Sequence, residues 1–270
     1  MSQKKILYIS QEIVPFVDET QVSNTSRFLP QAIQERGMEI RTFMPKYGSI
    51  NERRNQLHEV IRLSGMNLII DDSDNSLIIK VASIQAARMQ VYFIDNEDYF
   101  QKKHTLVDKK GKEYTDNDER SIFFVRGVME TIKKLRWVPD IIHCHGWFSA
   151  LAPLYLKKGY VDDPCFSDAK VVMSLYDEDF KVPFETKTAD KLRFEGIGDK
   201  EISAIKEKGD LDYKNLMKLA LDYSDGVVIG DENVDPDLIK YAEGLKLPVV
   251  PYESDFEKGV DEIEKLYQEL

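Results

Sequence analysis

Cysteine is nearly absent, with Cys144 and Cys165 the only two in 270 residues. They form neither a C-x-x-C pair nor a disulfide framework, which fits a reducing cytoplasm. Positive charge is also in deficit: 37 Lys and Arg stand against 48 Asp and Glu, a net charge of −11. An acidic surface excludes a duplex nucleic-acid binder, which needs a basic face to neutralise phosphates. The densest basic cluster, Lys102, Lys103, Lys109, Lys110 and Lys112, has no interleaved aromatic groups and reads as a solvated loop. No apolar run approaches the ~18 residues of a membrane span. The N-terminus enters the strand-like run Lys5-Ile6-Leu7-Tyr8-Ile9-Ser10 at once, with no secretory pattern. Asn24-Thr25-Ser26 has the form of a glycosylation sequon, but no export signal accompanies it. A Walker A loop and a G-x-S-x-G elbow are both missing, so neither a P-loop nucleotidase nor a hydrolase triad has support. Gly196-Ile197-Gly198 lacks the third glycine of a dinucleotide fingerprint and does not follow a strand directly, so it reads as a loop.

What is present is an ordinary globular composition, 42% apolar and 31% charged. A chain of this size buries about 70% of its surface on folding, enough for a core without disulfide or metal. Buried strand-like runs alternate with amphipathic helices. Strands are expected at Ile6–Ser10, Glu39–Met44, Gln90–Ile94, Ile141–His143, Val171–Leu175, Gly226–Gly230 and Leu247–Pro251. Helices are expected at Asn24–Arg36 (apolar face Phe28, Leu29, Ala32, Ile33; Gly37 as cap), Asp118–Leu135, Trp147–Lys158, much of Lys187–Ser224, Leu238–Gly244 with Gly244 as cap, and Phe256–Leu270. Residues 57–95 alternate only partially, are broken by Gly65 and Asp71–Asn75, and read as a β-meander insertion. The order implies an α/β fold with a mostly parallel sheet covered on both faces, in a single domain over 1–270. The last segment, 251–270, carries seven acids and two bases, a net of −5, with Val260, Ile263, Leu266, Tyr267 and Leu270 at helical spacing. One face of that helix is expected to be buried and the other solvated.

Ligands of open parallel sheets bind beyond the carboxyl ends of the strands. Four segments should therefore line a site: Ser10–Asn24, His143–Trp147, Leu175–Phe184 and Gly230–Asp235. His143 and His145, two apart on an extended segment, point the same way. They serve either as structural histidines bonded nearby or as ligand-facing groups at a sugar or phosphate site. No further His or Cys at usable spacing completes a zinc site, and no metal or cofactor is expected. The first strand–helix turn commonly cradles phosphate through glycines and a helix N-terminus. Here it reads Phe16-Val17-Asp18-Glu19-Thr20-Gln21-Val22-Ser23-Asn24, with two adjacent acids and no glycine, poorly suited to a pyrophosphate.

Taken together these pieces resemble the N-terminal half of the glycogen/starch synthases. The resemblance rests on Ser10, Glu12 and Pro15-Phe16, on Leu29-Pro30 and Arg36-Gly37, on Pro45-Lys46-Tyr47, and on Val91-Tyr92-Phe93-Ile94-Asp95. It continues through Tyr114, Asp116-Asn117 and Arg120, then Pro139-Asp140, His143, His145, Trp147, Leu151, Pro153 and Tyr155-Leu156. It covers about residues 4–160, and more weakly Asp222–Gly226. The resemblance implies a Rossmann-like domain, the acceptor-side half of the two-domain GT-B architecture, in a retaining transferase that adds glucose from ADP-glucose to α-1,4-glucan.

The departures bear on activity. The family's K-T-G-G-L loop has its lysine replaced by Asp18, its glycines by Thr20 and Gln21, and the following aspartate by Asn24. The aspartate of H-x-H-D-W is Gly146, and T-x-H-N becomes Ser174-Leu175-Tyr176-Asp177. A charge pair ~4 Å apart at an effective dielectric of ~20 is worth about 4 kcal/mol, so lysine to aspartate turns attraction for a diphosphate into repulsion. The donor half, with the Arg, Lys and Glu that the family uses there, is expected to lie outside these residues. Three readings follow: a catalytically degenerate binding, regulatory or partner subunit; a transferase half completed by a donor-domain chain; or another small-molecule enzyme in a remodelled cleft. A glucan or sugar nucleotide is the expected ligand, a donor-domain or other protein the expected partner. The candidate catalytic residue is His145. A cleft is expected to be lined by Asp18, His143, His145, Trp147, Tyr176 and Asp177, with Thr20, Asn24, Asp116 and Asn117 as further candidates.

Overall fold

The computed structural model describes residues 3–270. Ten strands form one sheet: β1 (Lys5–Ser10), β2 (Glu39–Pro45), β3 (His58–Glu59), β4 (Met66–Ile70), β5 (Ser73–Ile84), β6 (Met89–Asp95), β7 (Ile141–His145), β8 (Lys170–Leu175), β9 (Gly226–Ile229) and β10 (Val249–Val250). Their spatial order is β10-β9-β8-β7-β1-β2-β6-β5-β3, with β4 hydrogen-bonded to β5. The pairs from β10 across to β6 are all parallel. Only the meander β3–β6 is antiparallel, the insertion expected at 57–95. The central strands are buried on both faces, as continuous apolar runs require.

The helices are α1 (Gln21–Glu35), α2 (Asn117–Leu135), α3 (Ala152–Leu154), α4 (Thr188–Lys191), α5 (Asp199–Lys206), α6 (Tyr213–Asp222), α7 (Pro236–Gly244) and α8 (Phe256–Glu269). They leave two apolar layers. On one face α1 and α8 cover Ile6, Tyr8, Ile141, Val172 and Val228 with Leu29, Ile33, Val260, Ile263 and Tyr267. The other face is a larger core that takes in α2, α6 and the meander.

Several elements differ from expectation for local reasons. Helix α1 starts three residues early because Thr20 caps it, accepting from the Ser23 amide at 2.9 Å while Ser23 Oγ accepts from the Thr20 amide at 2.8 Å. Phe28, placed on its apolar face from spacing, is 47% exposed beneath the Arg27 guanidinium. The single helix expected at 147–158 is a 3-10 turn (Trp147–Ser149), the short α3 and a wide turn over Tyr155–Gly159. Pro153, which has no N–H for a continuous ladder, lies at the start of α3. The stretch 187–224 breaks into α4, α5 and α6 where Phe194 pairs with Ile197 and Phe184 with Leu211. Helix α7 is capped by Leu245, with Lys246 rather than Gly244 taking up the left-handed turn beyond it.

Helix α8 is held at both ends. Near its start the Arg36 guanidinium reaches Glu257, Asp261 and Glu264 at 3.2, 2.7 and 3.1 Å. Near its end the Tyr267 hydroxyl lies 2.5 Å from His143 Nδ1 and donates to the Tyr8 hydroxyl at 3.2 Å. Tyr267→Phe is therefore expected to cost about 1–3 kcal/mol, because buried His143 loses a partner it cannot replace. Urea unfolding checks this; an unchanged midpoint contradicts it.

Candidate functional site

The strands β1, β7, β8 and β9 end side by side, and the loops leaving them carry the candidate residues. The structure divides those residues among separate places. His143, His145 and Tyr176 lie in the closed layer under α1 and α8, all at 2% exposure or less. The imidazole centroids are 4.1 Å apart. His143 Nε2 meets Ser174 Oγ at 2.7 Å, and His145 Nδ1 meets the Tyr176 hydroxyl at 2.6 Å. Burial lowers His145 to about 3. Burial, and then His145 beside it, holds His143 well below its ordinary value. Both rings are neutral at neutral pH and face protein, not a cleft. The expectation of one cleft lined by these histidines with Asp18, Trp147, Tyr176 and Asp177 is corrected accordingly. Two residues two apart on a strand do share a face, but that face is roofed by helices.

Trp147 packs elsewhere, with its ring 4.7 Å from Phe180 and 6.1 Å from Phe184. Asp177 is exposed on a polar rim with Asp179, Lys214 and Asp235, in a recess that Tyr176 and half-buried Glu178 also line, and there Lys214 pairs with Asp235 at 2.8 Å. Asp18 is exposed beside Phe16, Ser49, Asn51, Arg54 and His104. Thr20 is committed to capping α1, and its hydroxyl donates to Glu12 at 2.7 Å. Asn24 is half-buried in the first turns of α1. Gln21 donates its side-chain amide to the Gly230 carbonyl at 3.0 Å, closing the loop onto the end of β9. Asp116 pairs with Lys103 at 3.1 Å. Asn117 accepts from Arg120 at 2.5 Å and donates to the Leu106 carbonyl at 2.9 Å, so this pair fastens the 96–117 loop to α2. Among the described residues, no group of three or more His, Cys, Asp or Glu is placed to hold a metal ion.

Where β1, β7 and β8 end, Gly146 meets Gln11 and Glu178, two residues that were not among the candidates. Gly146 has φ +81° and ψ 156°, a conformation nearly confined to glycine. A β-carbon there would lie 2.3 Å from Cδ of Gln11. The Gln11 side chain, 2% exposed, fills that volume. It accepts from the Phe148 amide at 3.1 Å and donates to Glu178 at 2.5 Å. The other Glu178 oxygen accepts from the Trp147 amide at 3.3 Å. Burial, reinforced by the charge of Glu12, pushes the Glu178 carboxyl up to about 8, against the pull of its two hydrogen bonds. Burial also raises Glu12, with Asp18 adding to the effect and the Thr20 hydroxyl opposing it. The signal in the sequence was the glycine at 146 where the resembled family carries aspartate. What occupies the freed space was not visible.

The family model for the starch synthase catalytic domain matches residues 5–247. Glycogen synthase of Chlorobium limicola is 42% identical over 173 residues, 64% of this chain and 35% of that protein. Glycogen synthase of Chlorobaculum parvum is 34% identical over 222 residues, 82% of this chain and 44% of that protein. The chain thus spans about a third to under a half of the length of the curated relatives it matches. Among solved structures, the catalytic domain of starch synthase IV from Arabidopsis thaliana, bound to ADP and acarbose, superposes with a TM-score of 0.69 at 16% identity, over 84% of this chain and 45% of that one. At that identity the likeness speaks for the fold.

Two outcomes follow from the strand-end cluster. Glu178 binds its proton more tightly folded than unfolded, so its contribution to stability is full below pH 4.5 and is lost as the pH rises towards about 8. Glu178→Gln is expected to stabilise the protein by about 1–3 kcal/mol at pH 9 and to make little difference near pH 5. Urea midpoints across pH measure it, and a pH-independent difference refutes it. Gly146→Asp is expected to cost about 3 kcal/mol or more from overpacking and backbone strain. Adding Gln11→Ala should recover part of that loss; strict additivity in the double-mutant cycle speaks against the contact.

Proposed function

This chain belongs to the starch synthase catalytic-domain family, and on that premise we propose that it is an acceptor-side α-glucan-binding domain which does not itself transfer glucose. The observation that carries this reading is the filled end of the central strands. Gln11 occupies the space above Gly146 and is bonded to Glu178, and the loop after β1 presents Asp18 and Glu19. A sugar diphosphate approaching there meets negative charge, and of the first-turn amides of α1 the one at Ser23 is already taken by the Thr20 hydroxyl. A binding, regulatory or partner role of a glycogen-synthase-like domain is consistent with this surface. The neighbour's ligands, ADP and acarbose, favour a glucan as the class to test. The two cysteines are free and buried, in keeping with a cytoplasmic setting, and no helix among the described residues is long and apolar enough to cross a membrane. We take residues 1–270 as one cooperative unit.

A second reading, a live half completed by a donor-domain chain, draws on the 42% identity to a glycogen synthase over 173 residues. One assay separates the two. The purified chain is incubated with radiolabelled ADP-glucose and glycogen, alone and with the donor half of a glycogen synthase supplied as a separate chain, and in parallel run through gels containing glycogen. We expect no incorporation but retarded migration. Incorporation, by the chain alone or with the donor half, overturns the loss of transfer, and unretarded migration overturns glucan binding.

A further inference from the structure

Three side-chain atoms in the layer between α1 and the sheet have no hydrogen-bond partner within the protein: Ser10 Oγ, Ser26 Oγ and His145 Nε2. All three residues are fully buried. Ser10 and His145 stand opposite each other where β1 pairs with β7, so their side chains leave the sheet on the same face. Two residues back along the same two strands, and so on the same face, Tyr8 stands opposite His143, and the Tyr8 ring lies 5.9 Å from that of His145. Helix α1 returns over this face, with Leu29 and Ile33 packed beside Ile6 and Tyr8. Ser26 comes one turn before Leu29, which sets it towards the ends of β1 and β7. Four residues on from Ser26, Pro30 has no N–H to offer the Ser26 carbonyl, so the same turn of helix carries a further acceptor without its regular donor. The second His145 nitrogen is already engaged by Tyr176.

We propose that this point is a binding site for one buried water molecule, shared by His145 Nε2, Ser10 Oγ and Ser26 Oγ, which joins α1 to the ends of β1 and β7. Water suits the donor set. Each hydroxyl donates or accepts, and the neutral imidazole nitrogen takes whichever role its tautomer leaves. A water satisfies three such partners at once, the usual coordination of an internal water. An ion would find no opposite charge among them, and an apolar filling would leave all three atoms unpaired, each at a cost. The site is independent of glucan binding and stands whether or not that reading holds.

A crystal structure of the full chain tests it. One solvent peak is expected within about 2.6–3.2 Å of all three atoms. Absence of that peak, or a direct bond between Ser10 Oγ and His145 Nε2, overturns the proposal. Thermal unfolding of Ser10→Ala, Ser26→Ala and the double variant gives a second reading. Each single change leaves the water two partners, so the double variant is expected to lose more degrees of melting temperature than the two singles summed. Shifts that simply add overturn the shared site.

Discussion

The end of the sheet is organised by one steric exchange: a side chain at position 11 stands where a side chain at position 146 cannot. Gly146 takes a backbone conformation almost closed to other residues, and Gln11 occupies the volume a β-carbon would claim. From that exchange the neighbouring bonds follow. Gln11 reaches across β7 to the Phe148 amide and on to Glu178 beyond β8, and Glu178 returns to the Trp147 amide. Three strand ends are thereby tied by two side chains. The cost is a carboxyl half-withdrawn from water beside the charge of Glu12, and its raised proton affinity expresses that cost.

The opposite constraint operates one layer away. Under α1 and α8 the sheet buries polar groups that would be expensive alone, two imidazoles and three phenols, and satisfies most of them from one another. Helix α8 completes this arrangement. Tyr267 supplies a partner to both His143 and Tyr8, while the three carboxylates facing Arg36 fix the helix's position on α1. An acidic helix at this point is thus a structural element with one apolar, one polar and one charged anchor. That use of its charge is local and gives no sign of a docking role.

Much of the architecture was legible. The strand runs came within two residues at most of their ends, and the meander was recognisable from its broken alternation. The helix boundaries went astray where a cap or a proline acted: Thr20 and Ser23 lengthened α1, and Pro153 fragmented the segment after β7. The site was less legible, because spacing reports which residues share a face but not which face stays open. His143 and His145 do point the same way; whether helices roof them depends on residues about 120 positions away, Tyr267 among them. The loss of aspartate at 146 could be seen, yet its replacement came from Gln11, 135 residues earlier, and Glu178, 32 later. No local pattern links those three positions.

The claim on which the rest depends is that the strand ends are filled and stay filled. Amide hydrogen exchange at Trp147 and Phe148 tests it directly, since those two N–H groups donate to Glu178 and Gln11. If the cluster is a fixed part of the core, both amides exchange only with global unfolding, as slowly as those of β7. Exchange at the rate of an open loop, while β7 stays protected, would mean that Gln11 and Glu178 swing clear and that an accessible cleft exists after all.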